Sequence, residues 1–155
     1  MSSEQSVAPA APTQVPTLAP QLVHTMRMPI RWGDMDAMGH VNNTIYFRYI
    51  ETARIAWLEQ VGGLPDPRGE GPVIVNASMS FLKQLTYPGE IEVTTFVAPP
   101  GRSSVEVSHE IRLVDAAGTA GELHAEGAAK VVWVDFRVGK STPLPDALRA
   151  ELPPA

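Results

Sequence analysis

The chain predicts an α+β fold in which one five-stranded antiparallel sheet wraps around a single long helix. Three observations predict it. One long helical pattern, residues 44–61, stands near the front of the chain. Five stretches alternate apolar and polar residues with the period of a strand. The four that follow the helix are joined by short turns rich in Gly and Pro, and short turns imply antiparallel pairing.

Taken in order, residues 1–20 are rich in Ser, Ala, Pro and Gln, with Pro9, Pro12, Pro16 and Pro20 recurring and no alternation. They are expected to form a disordered arm, leaving residues 21–155 as one domain. Met26, Met28, Ile30 and Trp32 then alternate with Thr25, Arg27 and Arg31, as in a half-buried strand. Pro29 cannot donate to a ladder, so this strand belongs at an edge. In the helix, Tyr46, Tyr49, Ile50, Ala53, Trp57 and Val61 share one side, and Phe47, Ile50, Arg54 and Leu58 form a neighbouring stripe. So wide an apolar surface should be heavily buried. Gly62 and Gly63 end the helix, and Pro65 and Pro67 make a loop.

The remaining strands follow the same logic. Val73, Val75, Ala77, Met79 and Phe81 alternate, and Tyr87-Pro88-Gly89-Glu90 turns the chain. Ile91, Val93 and Val97 alternate until Pro99-Pro100-Gly101. Val105, Val107, Ile111 and Leu113 follow, with His109 on the same apolar face, where a hydrogen-bonded core or interface role is expected. After Asp115-Ala116-Ala117-Gly118 comes the last strand, residues 122–136, whose Lys130-Val131-Val132-Trp133-Val134 segment reads as buried on both faces. A short helix over 146–151 closes the chain. A sheet of this kind has open edges, which makes pairing into a dimer plausible.

Composition narrows the function. With 44% hydrophobic residues the chain can build a core, and at 155 residues it makes one. A net charge of −5 with no basic cluster argues against nucleic acid. Cysteine is absent, which excludes thiol nucleophiles, disulfides and thiolate metal sites. No apolar run approaches the roughly 20 residues of a membrane helix, and no secretory pattern opens the chain, so a cytoplasmic location is expected. There is no Gly-x-Ser-x-Gly elbow, no Gly-rich nucleotide loop and no zinc motif.

The chemistry concentrates in Arg31-Trp32-Gly33-Asp34-Met35-Asp36-Ala37-Met38-Gly39-His40-Val41-Asn42-Asn43. Two carboxylates stand two apart, followed by a glycine, a histidine and paired asparagines. Asn42, Asn43 and Thr44 are all good helix N-caps, so an acidic side chain comes to lie beside unpaired backbone N–H groups. A carboxylate can attack or take a proton, and a helix N-terminus can stabilise an oxyanion. Asp36 can equally cap the turn, since Asp serves loops that way. Asp34 reads as structural, accepting loop N–H bonds and holding Asp36 in place. Asp34, Asp36 and His40 together resemble a hard-metal set, but their spacing fits no strong motif, so no metal is expected. His40 is expected to orient the loop or line a pocket. Glu51 and Arg54, at i and i+3, can form an ion pair. Met35, Met38 and Met79 read as pocket wall and core.

The segment Trp32 through Asn43 resembles the signature of the hotdog-fold acyl-CoA thioesterases of the 4-hydroxybenzoyl-CoA thioesterase type. Tyr46-Phe47-Arg48-Tyr49-Ile50-Glu51-Thr52-Ala53-Arg54 is similar to that family's central helix, and residues 130–136 with Pro143-Leu144-Pro145 to its C-terminal end. The likeness runs from about Val23 to Leu152. It implies a hotdog fold and hydrolysis of an acyl-CoA or acyl carrier protein thioester, without a cofactor. The family's catalytic aspartate matches Asp36, and the N–H that points at the thioester carbonyl matches Asn43. Gly39, His40, Val41 and Asn42 are expected along the substrate. Arg102 looks like a position that holds the nucleotide, with Lys83 and Arg137 as weaker matches. Some hotdog thioesterases use a helix glutamate instead, and Glu51 would be that residue. The resemblance also implies an active site at a dimer interface, within a homodimer or homotetramer. A non-catalytic acyl-CoA-binding hotdog protein is the alternative from another class.

Overall fold

The computed structural model describes residues 19–63 and 65–155. All but the last two residues of the expected arm lie outside them. The elements run β1 (Gln21–Ile30), α1 (Asn43–Gln60), β2 (Glu70–Phe81), β3 (Gly89–Val97), β4 (Ser104–Val114), β5 (Ala120–Asp135), β6 (Lys140–Ser141) and α2 (Asp146–Arg149). They build one antiparallel sheet in the order β1-β3-β4-β5-β2, with the two-residue β6 added beside β5. The long helix lies on its inner face. This is the expected hotdog architecture, with a sixth short strand that the sequence reading did not include.

The helix forms where apolar residues repeat every three or four positions, and it buries Tyr46, Tyr49, Ile50, Ala53, Trp57 and Leu58. Its N-terminal half packs on Ile30, Ile91, Val93, Ile111 and Ala125. Its C-terminal half sets Trp57 and Leu58 against Val97, Val105, Val107, Val131 and Trp133, sealed by Leu144, Leu148 and Leu152. Between these two clusters the sheet carries a polar pair. Thr95 and His109 face each other across β3 and β4, and the Thr95 hydroxyl meets His109 Nδ1 at 3.1 Å.

Four expectations are corrected. Trp32 does not continue β1; it starts a 3₁₀ turn, Trp32–Asp34, and is 78% exposed. The turn at Tyr87-Pro88-Gly89-Glu90 is not a hairpin, because β2 pairs with β5 and β3 with β1 and β4. Residues 82–88 therefore cross from one side of the sheet to the other. β5 is interior, yet Val132 and Val134 stay half-buried, so it is apolar on both faces but sealed on one. The terminal helix ends at Arg149, two residues earlier than expected. Pro29 does lie on an edge strand, as its missing N–H requires.

The opposite edge is different. A bulge between Ile74 and Asn76 shifts the β2 register. Ile74, Ala77 and Phe81 stand opposite the buried Val131, Ala129 and Ala125, so they share the inner face. All three are nonetheless exposed: α1 sets the edge of the Tyr46 ring against Phe81 and leaves Ala77 open to a cavity. Val73, Val75 and Leu82 add to this uncovered apolar edge. Among the described residues no helix is long and apolar enough to cross a membrane.

Candidate active site

The loop between β1 and α1 is a closed hairpin-like structure. Asp36 N–H donates to the His40 carbonyl at 2.9 Å, and Gly39 N–H to the Asp36 carbonyl at 3.1 Å. Met35 and Val41 form a bridge, and Asn42 N–H donates to the Asp34 carbonyl at 2.9 Å. The return demands a left-handed residue, and Gly39 supplies it with φ of +82°. Asn42 then caps the helix, its side-chain oxygen accepting from Thr44 N–H at 3.0 Å. Asn43 is the first helical residue, where a backbone N–H has no helical partner.

The two carboxylates point in different directions. Asp34 is 3% exposed. It accepts from Arg31 N–H at 2.9 Å and from the Tyr49 hydroxyl at 2.7 Å, and it pairs with the Arg31 guanidinium at 3.0 Å. Burial alone would raise its pKa, but the bonds from Tyr49 and Arg31 and the Arg31 charge outweigh burial and hold the carboxyl below its ordinary range. The same arrangement drives the Tyr49 phenol upward, through burial first and then the neighbouring Asp34. Asp36 is half-buried and faces a cavity. One of its oxygens accepts from Met38 N–H at 2.9 Å, and the other lies 3.5 Å from the Asn42 amide nitrogen. That second oxygen is the less engaged of the two.

The cavity measures about 520 Å³, and its wall includes Asp36, His40, Asn43, Tyr46, Phe81 and Lys83. An acidic oxygen, a helix N-terminus and an apolar wall therefore surround one space. Carboxylate chemistry on a carbonyl needs those three things. The crossover residues 82–84 close one side, with Leu82 and Lys83 both donating N–H bonds to the His124 carbonyl. Tyr46 ties this wall down, accepting from Leu85 N–H at 3.1 Å and meeting Phe81 edge-on at 5.1 Å.

Residues 30–152 match the model of the thioesterase-like superfamily. The chain belongs to that superfamily. A candidate thioesterase from Pseudomonas aeruginosa is 40% identical, with 84% of this chain and 98% of that one covered and a TM-score of 0.75. A second protein from Pseudomonas aeruginosa is 30% identical over 86% of this chain and 94% of its own, with a TM-score of 0.74. A 1,4-dihydroxy-2-naphthoyl-CoA thioesterase from Synechocystis is 17% identical over 83% and 93%, with a TM-score of 0.74, and shares the fold.

Against this superfamily background the expected site residues divide. Asp36, His40, Val41, Asn43 and Lys83 line the one cavity. Asn42 supports it as cap and as a neighbour of Asp36, and Gly39 borders a second cavity with Trp32, Asp36 and Tyr87. Lys83 is paired with Glu122. Glu51 lies elsewhere, in a separate cavity beside α1, and Arg102 is exposed in the β3–β4 turn beside α2, where its carbonyl accepts from Leu144 N–H and Arg149. Arg137 binds Asp135 within an exposed turn. The expected Glu51–Arg54 pair does not form: Glu51 binds Arg48 at 2.6 Å, and Arg54 turns inward. Phe81, Leu82 and Gln84 were missed, because only the sheet crossover brings them to the loop. Among the described residues no group of His, Asp and Glu could hold a metal, and Asp34 points away from Asp36 and His40.

Proposed function

We propose that this protein hydrolyses an acyl-CoA, or an acyl carrier protein thioester, to a free carboxylic acid and a thiol. One observation carries the reading: Asp36 and the N-terminus of α1 border the same cavity. In the proposed reaction the thioester carbonyl accepts from Asn43 N–H at the helix N-terminus. Asp36 either attacks that carbon, giving a mixed anhydride that water opens, or takes a proton from the attacking water. Both routes break the C–S bond, send a proton to the thiolate and consume one water. An N–H placed at the developing oxyanion contributes about 3–4 kcal/mol. The Synechocystis thioesterase named above acts on an aromatic acyl-CoA, which supports a CoA thioester as the substrate class.

The reading includes a dimer joined along the β2 edge. The apolar, unpartnered inner face of β2 supports it, since such an edge left open invites pairing with another strand. A second copy there would roof the seam beside α1.

A thiol-release assay with a panel of acyl-CoAs tests the proposal. Release well above the uncatalysed rate is the expected result. Tight binding of acyl-CoA with no release by any of the panel would replace the reading with a non-catalytic acyl-CoA-binding protein. Sedimentation should give a mass at least twice the 16.7 kDa of one chain.

A further inference from the structure

The seam between α1 and β2 holds two cavities in succession. The first is the one with Asp36 and Asn43. The second, of about 270 Å³, is lined by Phe47, Arg48, Ile50, Glu51, Arg54 and Ala77, among others. Arg54 sets its character. The residue is only 7% exposed, it makes no salt bridge among the described residues, and its Nη1 is buried with no hydrogen-bond partner. A buried guanidinium without a carboxylate is costly. The one acid lining this cavity, Glu51, is engaged by Arg48 at 2.6 Å. The Arg48 side chain is 65% exposed and met by solvent, and Glu51 acts on Arg54 only through its charge, so the buried Nη1 donor stays open.

The sheet beneath does not partner that donor. His109, one of the residues under this part of the helix, has Nδ1 against Thr95 and a buried, unpartnered Nε2. Burial, then the charges of Arg54 and His24, push its pKa down to about 3, so it stays neutral and adds no second positive charge beneath Arg54. Among the described residues, none gives Arg54 a hydrogen-bonded carboxylate.

We infer that Arg54 binds a carboxylate at the far end of the acyl group, so that the preferred substrates are thioesters of dicarboxylic acids. This deepens the proposed function and rests on it. A rise of 1.5 Å per residue puts Arg54 about 16 Å along the helix from Asn43, and helical side chains lean back toward the N-terminus. An acyl chain of modest length spans what remains. A single carboxylate fits better than a hydroxyl because it meets the buried charge of Arg54 and accepts two N–H bonds from one guanidinium.

The test compares kcat/KM for glutaryl-CoA and hexanoyl-CoA, with shorter and longer pairs alongside. The wild type should favour the carboxylate-ended member at least tenfold at its best length. Arg54→Gln should cut that ratio by about 100-fold, mostly through KM, and Arg54→Lys should keep part of it. The same pairs titrated by calorimetry into the Asp36→Asn protein read the preference as a Kd ratio, even if no thiol is released. Binding of hexanoyl-CoA by each variant reports its folding. A wild-type ratio near one at every length overturns the inference, as does a ratio unchanged by Arg54→Gln. An equal loss for free CoA would assign Arg54 to the nucleotide phosphates instead, and would also overturn it. Failure of every acyl-CoA to release thiol, with the Kd preference intact, would sink the hydrolytic reading and leave the carboxylate site standing.

Discussion

Asp34 and Asp36 sit in one loop, two residues apart, and the fold has given them opposite surroundings. Asp34 is sealed under Arg31 and Tyr49, with its oxygens committed to internal donors. Asp36 borders an open cavity, and its firm hydrogen bond is to one backbone N–H. The contrast teaches what alternation in a tight loop can do. One carboxylate spends its charge anchoring the start of the loop to the middle of α1, while the other is left available beside the helix N-terminus. A carboxylate whose lone pairs are all engaged is a poor nucleophile or base, so in the proposed reaction Asp34 is the wrong acid and Asp36 the available one.

Asp36→Asn should give the largest effect. The amide cannot attack or take a proton, and turnover should fall by at least about 10³-fold. The Met38 N–H bond survives on the amide oxygen, so thermal unfolding should stay close to wild type. A variant that keeps its kcat would erase the distinction between the two acids. Asp34→Asn should do the reverse in kind. It removes the charge that Arg31 and Tyr49 address, at about 2–3 kcal/mol of stability by denaturant unfolding. Since folding depresses the Asp34 pKa, its contribution is complete above the ordinary carboxylate range and is lost as pH falls through the lower folded value. The stability gap between wild type and Asp34→Asn should therefore be full at neutral pH and close below about pH 4. A gap that did not narrow in acid would show that Asp34 acts through shape rather than charge.

Much of this was legible in the residues. The long helix, its Asn42 cap, the edge strand with Pro29 and the structural role of Asp34 all follow from local rules of spacing, capping and missing donors. What was hidden is non-local. The Tyr49 hydroxyl reaches Asp34 from fifteen positions away, and nothing in the helical period marks that tyrosine out. The wall at residues 82–84 arises because β2 pairs with β5, and strand order is not written in any one strand's alternation. The Glu51–Arg54 pair failed for the same reason: both Arg48 and Arg54 are three positions from Glu51, and burial decided which one turned inward. Arg102 carries a basic side chain in a plausible turn, but the fold puts that turn beside α2, away from the Asp36 cavity.

The smallest expected effect sharpens the comparison most, because it touches the hinge between the two acids and the helix. Gly39 has φ of +82°, and a methyl group there would meet nothing within 4 Å. Gly39→Ala therefore adds no clash, only the backbone cost of a left-handed alanine, about 1–2 kcal/mol. That strain can be borne in two ways. If the Asp36–His40 backbone bond and the Gly39–Asp36 bond hold, stability falls by that amount and kcat is unchanged. If the loop relaxes instead, Asp36 moves relative to Asn43, kcat falls, and stability is largely spared. Asp34 lies outside the strained turn and is held by Arg31 and Tyr49, so its acid-dependent contribution should persist in either case. The first outcome is expected, since backbone bonds hold this loop against one glycine's strain: Asp36 to His40, Gly39 to Asp36 and Asn42 to Asp34 close it, and Val41 to Leu85 ties it to the crossover. Parallel measurement of unfolding free energy and kcat on the one variant separates the two.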